Sequence, residues 1–367
     1  MKWSWKLGEF AGIGVYVHAT FFLIIIWIAV AHWVQGASLT TMLSAIAFIL
    51  ALFGCVVLHE FGHALTAKKY GIKTRDITLL PIGGVARLER MPDDPKQELW
   101  VALAGPAVNV VIAAALYVWL HLTASLEPFS QLSVTGGSFL ERLMVVNIFL
   151  VAFNMLPAFP MDGGRVLRAL LAIRMEYTRA TQIAASIGQG MAFLFGLIGL
   201  FYNPFLIFIA LFVWIGAAQE ASMVQMKSSL SGIPVRRAML TDFQTLSPRD
   251  TLSRAIELIL AGSQQDFPVV EDGHVAGILT RGELLKALAQ SSQSTPVANV
   301  MQSEFQTVDP AEMLETAFLR LQTCKCRTMP VVRRGELVGL LTMDNVGEFL
   351  MTEAALSGAA MKPALRV

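Results

Sequence analysis

Apolar and polar positions divide the chain into two regions. From Gly14 to about Val224, apolar residues run together in stretches as long as the roughly 20 residues a helix needs to cross a bilayer. From about Lys227 onward, short apolar runs alternate with charged and turn-forming residues, the pattern of a soluble α/β domain. The first region predicts six spans, near Val15–Val34, Met42–Ala67, Trp100–Leu122, Phe139–Leu156, Ile183–Phe201 and Pro204–Ala221. Basic residues cluster on one set of links: Lys2 and Lys6 before the first span, Lys68, Lys69, Lys73 and Arg75 after the second, and Arg165, Arg168, Arg174 and Arg179 after the fourth. The links after the first, third and fifth spans carry no Lys or Arg. By the positive-inside rule both termini face the cytoplasm, and the soluble region with them. Lys2, Lys6, the following apolar run and Ala29-Val30-Ala31 also resemble a cleavable signal peptide. The run is long for a signal, however, and its loss would remove a span that the remaining topology uses.

Composition adds two exclusions. A net charge of +1 gives no electrostatic case for nucleic acid as a partner. Three cysteines cannot build a disulfide framework, and Cys55 lies inside an apolar run.

The chemistry falls in the second and fourth predicted spans. His59-Glu60-Phe61-Gly62-His63 is the His-Glu-x-x-His pattern. On a helix, positions i and i+4 share a face, so both imidazoles can reach one Zn²⁺ while Glu60 serves as general base. Five-residue matches arise by chance, and a seam of hydrogen-bonded histidines between helices is the competing account. Three ionisable residues inside an apolar span are costly, which favours a functional site. His59 lies about eight residues before Ala67, so the site sits roughly 12 Å from the cytoplasmic end of its helix. A catalytic zinc takes three protein ligands and leaves a position open. Asp162 is the candidate third ligand, in Asn154-Met155-Leu156-Pro157-Ala158-Phe159-Pro160-Met161-Asp162-Gly163-Gly164-Arg165. There Pro157 and Pro160 end the helix, and Gly163-Gly164 leaves the backbone free to turn the carboxylate back. Without the histidine pattern, the same segment would read as a Pro-Gly loop with a capping Asp.

These paired motifs resemble the site-2 protease family of intramembrane zinc metalloproteases, over the whole six-span region. The resemblance implies that His59, His63 and Asp162 bind zinc and that Glu60 activates water. Met161 stands where the family usually has Leu, a volume-conserving change. Leu79-Leu80-Pro81-Ile82-Gly83-Gly84-Val85-Ala86 is apolar and strand-like. The family's equivalent loop holds substrate as an added strand, which assigns Gly83 and Gly84 to substrate binding. Ala104-Gly105-Pro106-Ala107-Val108-Asn109 matches the family's Gly-Pro-x-x-Asn, which puts Asn109, with Asn154, at the substrate. A packing hydrogen bond between helices is the alternative for Asn109. The substrate class implied is a membrane-anchored regulator with a single span, cut in regulated intramembrane proteolysis.

The soluble region repeats itself. Ile233-Pro234-Val235, Phe267-Pro268-Val269-Val270 and Gly277-Ile278-Leu279-Thr280 return as Pro296-Val297, Met329-Pro330-Val331-Val332 and Gly339-Leu340-Leu341-Thr342, at a spacing of about 62 residues. Each unit resembles a CBS domain, at 233–290 and 296–352, behind a membrane domain at 1–226. Such pairs often bind ATP, ADP or AMP and associate into dimers. The resemblance points to Thr280 with Glu283 and Thr342 with Asn345 as nucleotide contacts. The family's usual ribose-binding Asp is Glu283 in one repeat and Asn345 in the other, with Asp344 adjacent.

The expectation is therefore a polytopic α-helical membrane domain of six transmembrane helices followed by a soluble α/β tandem CBS pair. The resemblance implies a zinc metalloendopeptidase of a bacterial or archaeal cell membrane, embedded in the lipid bilayer. A CBS-regulated membrane metal transporter is the alternative. That reading needs polar residues spread over several spans, and outside Glu60 and Asp162 the chain is poor in them.

Overall fold

A computed structural model describes residues 3–81, 83–89, 91–92, 94–123, 137–290, 292–324 and 328–360. The chain divides into two compact units, Met1–Val224 and Gln225–Val367.

The first unit opens with a hairpin. β1 (Ser4–Phe10) pairs antiparallel with β2 (Ile13–His18). Ala11 and Gly12 connect them with φ of 53° and 81°, the primed turn that suits strand twist. β2 then runs parallel to β3 (Thr74–Leu80), which pairs antiparallel with β4 (Gly83–Leu88). The order β1-β2-β3-β4 leaves one edge of β4 without a strand partner among the described residues. The sheet corrects the first predicted span. Alternation in Ile13-Gly14-Val15-Tyr16-Val17-His18 buries Ile13, Val15 and Val17, so Val15–His18 is strand, and the helix starts only at Phe21.

α1 (Phe21–Val34) has 14 residues, about 21 Å, which is shorter than a bilayer core. α2 (Leu39–Lys69), α3 (Pro95–Leu122), α6 (Tyr177–Phe201) and α7 (Phe205–Leu230) are long and apolar enough to cross. α4 (Phe139–Asn154) has 16 residues, about 24 Å. Four spans rather than six therefore meet the length requirement among the described residues.

Two packing arrangements position the site. The sheet lies on α1 and α2, with Val17, Phe21, Phe53 and Leu79 in one cluster and Ile13, Ala64 and Ile77 in another. That brings β4 alongside the middle of α2. On the other side α2 meets α3 at small residues: a Cβ on Gly62 would stand 2.6 Å from the Ala104 carbonyl oxygen. After α4 the chain turns through 155–161 into α5 (Asp162–Ala172). Phe159 and Ala158 of this turn pack against Ala184, Ala185 and Ala192 of α6 and Val213 and Ala217 of α7.

The second unit contains two repeats. Each has a helix (α8, Leu252–Ala261; α10, Leu314–Thr323), a hairpin (β5, Phe267–Glu271, with β6, His274–Leu279; β7, Thr328–Arg333, with β8, Glu336–Thr342) and a closing helix (α9, Arg281–Gln290; α11, Met343–Ala360). The segments leading into the repeats cross over. Leu240 pairs with Leu340 in the second repeat, and Gln302 pairs with Ile278 in the first. Each small sheet is therefore completed by the other repeat, which accounts for a tandem pair rather than single modules.

Candidate metal centre

His59 and His63 stand one turn apart on α2, and Asp162 opens α5. Both histidine Nε2 atoms lie 3.1 Å from Asp162 Oδ2 and 3.1 Å from each other. All three side chains are buried. The far sides of the rings decide what this triangle is. His63 Nδ1 lies 2.7 Å from the Val101 carbonyl oxygen, and His59 Nδ1 lies 2.5 Å from Asn109 Oδ1. Neither oxygen can donate a proton, so each ring carries its proton on Nδ1 and turns the Nε2 lone pair inward. A ring protonated on Nδ1 alone presents its Nε2 lone pair to the point that Asp162 Oδ2 also reaches, the donor set that a cation takes. Tetrahedral coordination at about 2.0–2.1 Å sets ligand atoms about 3.3 Å apart, close to the spacing found. Among the described residues, this is the group of metal-binding side chains with ligand atoms within 4.8 Å of one another.

The neighbourhood is cut to fit. A Cβ on Gly105 would stand 2.2 Å from His63 Nε2 and 2.7 Å from His59 Nε2, so α3 can pass the ligands only with glycine there. Gly163 works by close approach rather than by the flexibility expected of it. It lies within α5, and a Cβ there would be 2.3 Å from the Leu156 carbonyl oxygen. The turn thus folds tightly onto the helix start and aims Asp162 at the histidines. Arg165 Nη1 stands 3.9 Å from the other oxygen of Asp162. Further along α5, Arg168 is fully buried between Glu98 of α3 and Glu220 of α7, and its guanidinium lies over the rings of Phe159 and Tyr177.

Glu60 points to the sheet. Its Oε2 accepts a hydrogen bond of 3.2 Å from the backbone N–H of Ala86 on β4, on the side away from β3. A Cβ on Gly84 would stand 2.9 Å from Glu60 Cγ, so glycine lets this strand approach the carboxylate. Gly83, at the start of the same strand, has a φ of 136° that a side chain would strain.

The profile of peptidase family M50 matches residues 47–136 and 130–197, and that of the CBS domain matches 235–290 and 297–351. The zinc metalloprotease MJ0392 of Methanocaldococcus jannaschii is 36% identical over 289 residues, covering 78% of this chain and 80% of that protein. The chain belongs to peptidase family M50. Another M50-like relative, the putative zinc metalloprotease sll0528 of Synechocystis, is 28% identical over 371 residues, 95% of this chain and 96% of its own. The solved site-2 protease of Methanocaldococcus jannaschii is 38% identical, covers 60% of this chain and 95% of its own, and superposes with a TM-score of 0.44. This M50 member is a membrane metalloprotease with a C-terminal CBS pair.

Asn109 is wholly buried: its Oδ1 faces His59 and its Nδ2 donates to Asn147 Oδ1 at 2.7 Å. Asn154 is the half-buried last residue of α4 and is not among the residues hydrogen-bonded to His59, His63 or Asp162. Asn147 was not predicted. The signal for it was an amide in the interior of an apolar helix, a residue type that seeks a partner there.

In the second unit Thr280 and Thr342 are helix caps. The Thr280 hydroxyl accepts from the N–H of Glu283, and that of Thr342 from the N–H of Asn345. Glu283 also pairs with Lys286 at 3.1 Å. A separate cavity of about 440 Å³ opens between Arg236, Asp309, Arg333 and Val338, away from these four residues in the lining.

Proposed function

We propose that this M50 protein is an intramembrane zinc endopeptidase that cuts single-span membrane proteins and is regulated through its CBS pair. The observation that carries the reading is the convergence of His59 Nε2, His63 Nε2 and Asp162 Oδ2 beside a Glu60 that touches a free strand edge. When bound, zinc supplies Lewis-acid polarisation of the scissile carbonyl and acidifies the attacking water. Glu60 takes the proton from that water and later returns it to the leaving amine. A helical substrate has its carbonyls already hydrogen-bonded, so the cleaved segment must be extended. The open edge of β4, with Gly83 and Gly84, is suited to take it as an added strand next to Glu60. His59 is ten residues from Lys69 at the end of α2, about 15 Å along the helix, which supports cleavage inside the membrane near the basic, cytoplasmic side.

The CBS pair faces the cytoplasm in this reading, binds adenine nucleotide and joins two chains. Thr280 with Glu283 and Thr342 with Asn345 occupy matching places at the starts of α9 and α11, where helix N–H groups favour anions. A ribose or phosphate there would replace the cap bonds these residues now make.

The test uses purified full-length protein, a single-span substrate and Glu60→Gln beside wild type, with zinc measured in both. Cleavage by the wild type alone, at equal zinc, supports the reading. Equal cleavage by both removes Glu60 as the base. Zinc flux into vesicles that survives Glu60→Gln, without cleavage, favours the transporter.

A further inference from the structure

α4 supplies no metal ligand, yet it carries Asn147 with no exposed surface at all. Asn147 Nδ2 donates to the Leu143 carbonyl oxygen one turn back, at 2.8 Å, and approaches Cys55 Sγ at 3.4 Å. A backbone carbonyl can only accept, so the amide orientation is fixed at that end: nitrogen towards Leu143, oxygen away. Asn147 Oδ1 must therefore accept, and it does so from Asn109 Nδ2 at 2.7 Å. This in turn leaves Asn109 Oδ1 facing His59 Nδ1 at 2.5 Å. The polarity passes without a break from the backbone of α4, through two side-chain amides, to a metal-binding ring on α2. His63 needs no such chain, because the Val101 carbonyl fixes it directly.

We infer that Asn147 is a positioning residue for the metal centre: by orienting the Asn109 amide it holds the proton of His59 on Nδ1 and keeps Nε2 free as a ligand. The inference rests on the metal-site reading above. Reversing the Asn109 amide would set its NH₂ group against Nδ1 of His59. The proton would then move to Nε2, between the ring and Asp162, where a cation must bind. Asn147 is what makes that reversal costly, since a reversed Asn109 would oppose its oxygen to Asn147 Oδ1.

The experiment has two arms on the full chain in detergent. In metal-free wild type labelled with ¹⁵N-histidine, long-range ¹H–¹⁵N correlations read the tautomer directly, and His59 is expected to be protonated on Nδ1. A ring with Nδ1 bare and its proton on Nε2 overturns the inference, whereas protons on both nitrogens leave the Nδ1–H that the Asn109 amide holds. In the second arm, zinc affinity is measured by chelator competition, with the visible spectrum of the cobalt-loaded protein and melting of the metal-free form. Asn147→Leu is expected to weaken zinc binding about 10–100-fold, the effect found when a partner of a ligand is lost, and to alter the cobalt spectrum. Asn147→Asp, whose buried protonated carboxyl offers the same acceptor and donor, restores the affinity. An unchanged zinc affinity in Asn147→Leu, with only the melting lowered, reduces Asn147 to a packing residue. If the leucine variant does not fold, the wild-type tautomer decides alone. A wild type with His59 protonated on Nδ1 that takes up no zinc leaves the role of Asn147 standing and removes the metal reading instead.

Discussion

At the metal centre, His59, His63, Asp162, Asn109 and Asn147 are buried, and the contacts that join them run mostly between different helices. In the CBS pair the nominated residues sit at helix starts, and Thr280 and Thr342 bond within their own turn. Burying a polar group is unfavourable unless it is paired, so a long-range buried network is evidence of chemistry that needs it. A cap explains itself locally and says little about a ligand. The first region therefore tells its function through geometry. The second tells mainly its fold, through the exchanged leading segments and the repeated hairpins.

The largest effect expected on this contrast is at Glu60. Glu60→Gln should lower cleavage by about 10²–10⁴-fold while zinc stays bound, because Glu60 is outside the ligand triangle. Rates of substrate cleavage and metal analysis on the same preparations check it, and a variant of near wild-type rate would break the reading. Gly105→Ala should be almost as severe by another route. The added methyl would occupy the space of both ligand nitrogens, so zinc falls away and cleavage with it. The clash with the two imidazoles also acts on the metal-free protein, and overpacking costs about 1–3 kcal/mol against the roughly 1 kcal/mol by which a helix prefers alanine, so a modest fall in melting is expected. Loss of metal greater than that fall explains separates a site from a structural seam.

Arg168→Met probes whether burial marks structure as sharply as it marks chemistry. It removes the partner that Glu98 and Glu220 share, and an uncompensated buried charge such as that of Glu98 costs about 3–5 kcal/mol, while Glu220 reaches solvent in part. A marked drop in melting temperature is expected, with weaker zinc retention because α5 carries both Arg168 and Asp162. Unaltered melting would mean that water or rotation satisfies the two carboxylates.

How far the sequence went follows from the range of each interaction. His59, Glu60 and His63 were legible because helix geometry alone places them on one face. Asp162 was legible because Pro157 and Pro160 ended a helix beside it, although the reason for Gly163 was close packing on Leu156, which only the folded turn displays. The strand Ile13–His18 was hidden because six alternating residues adjoin a 14-residue apolar helix, and the combined run imitates one span. Its parallel partner, β3, is some sixty residues away by chain order, and no local pattern announces it. The link from Asn109 to His59 spans 50 residues, so no local pattern announced it. The repeat in the second unit was plain from Pro-Val-Val and Gly-x-x-Thr, but the pairing of Leu240 with the opposite repeat was not.

The smallest effect sharpens the CBS side of the comparison. Each threonine cap should be worth about 0.5–2 kcal/mol, so Thr280→Ala and Thr342→Ala should lower the stability of the second unit modestly and by similar amounts. Calorimetry of the full chain reads this, and cleavage without nucleotide should stay at the wild-type rate. Adding AMP then divides the two accounts. If the threonines are caps alone, AMP shifts the transition of wild type and variants equally or not at all. If they also touch the nucleotide, AMP stabilises the wild type by RT ln(1 + [L]/Kd), about 2.7 kcal/mol at a hundredfold excess over Kd, and the variants lose part of that gain. Asymmetry between the two variants would then show which repeat holds the ligand: the Glu283 side chain is already drawn to Lys286, whereas among the described residues that of Asn345 bonds to Thr342, so the second repeat is expected to respond more.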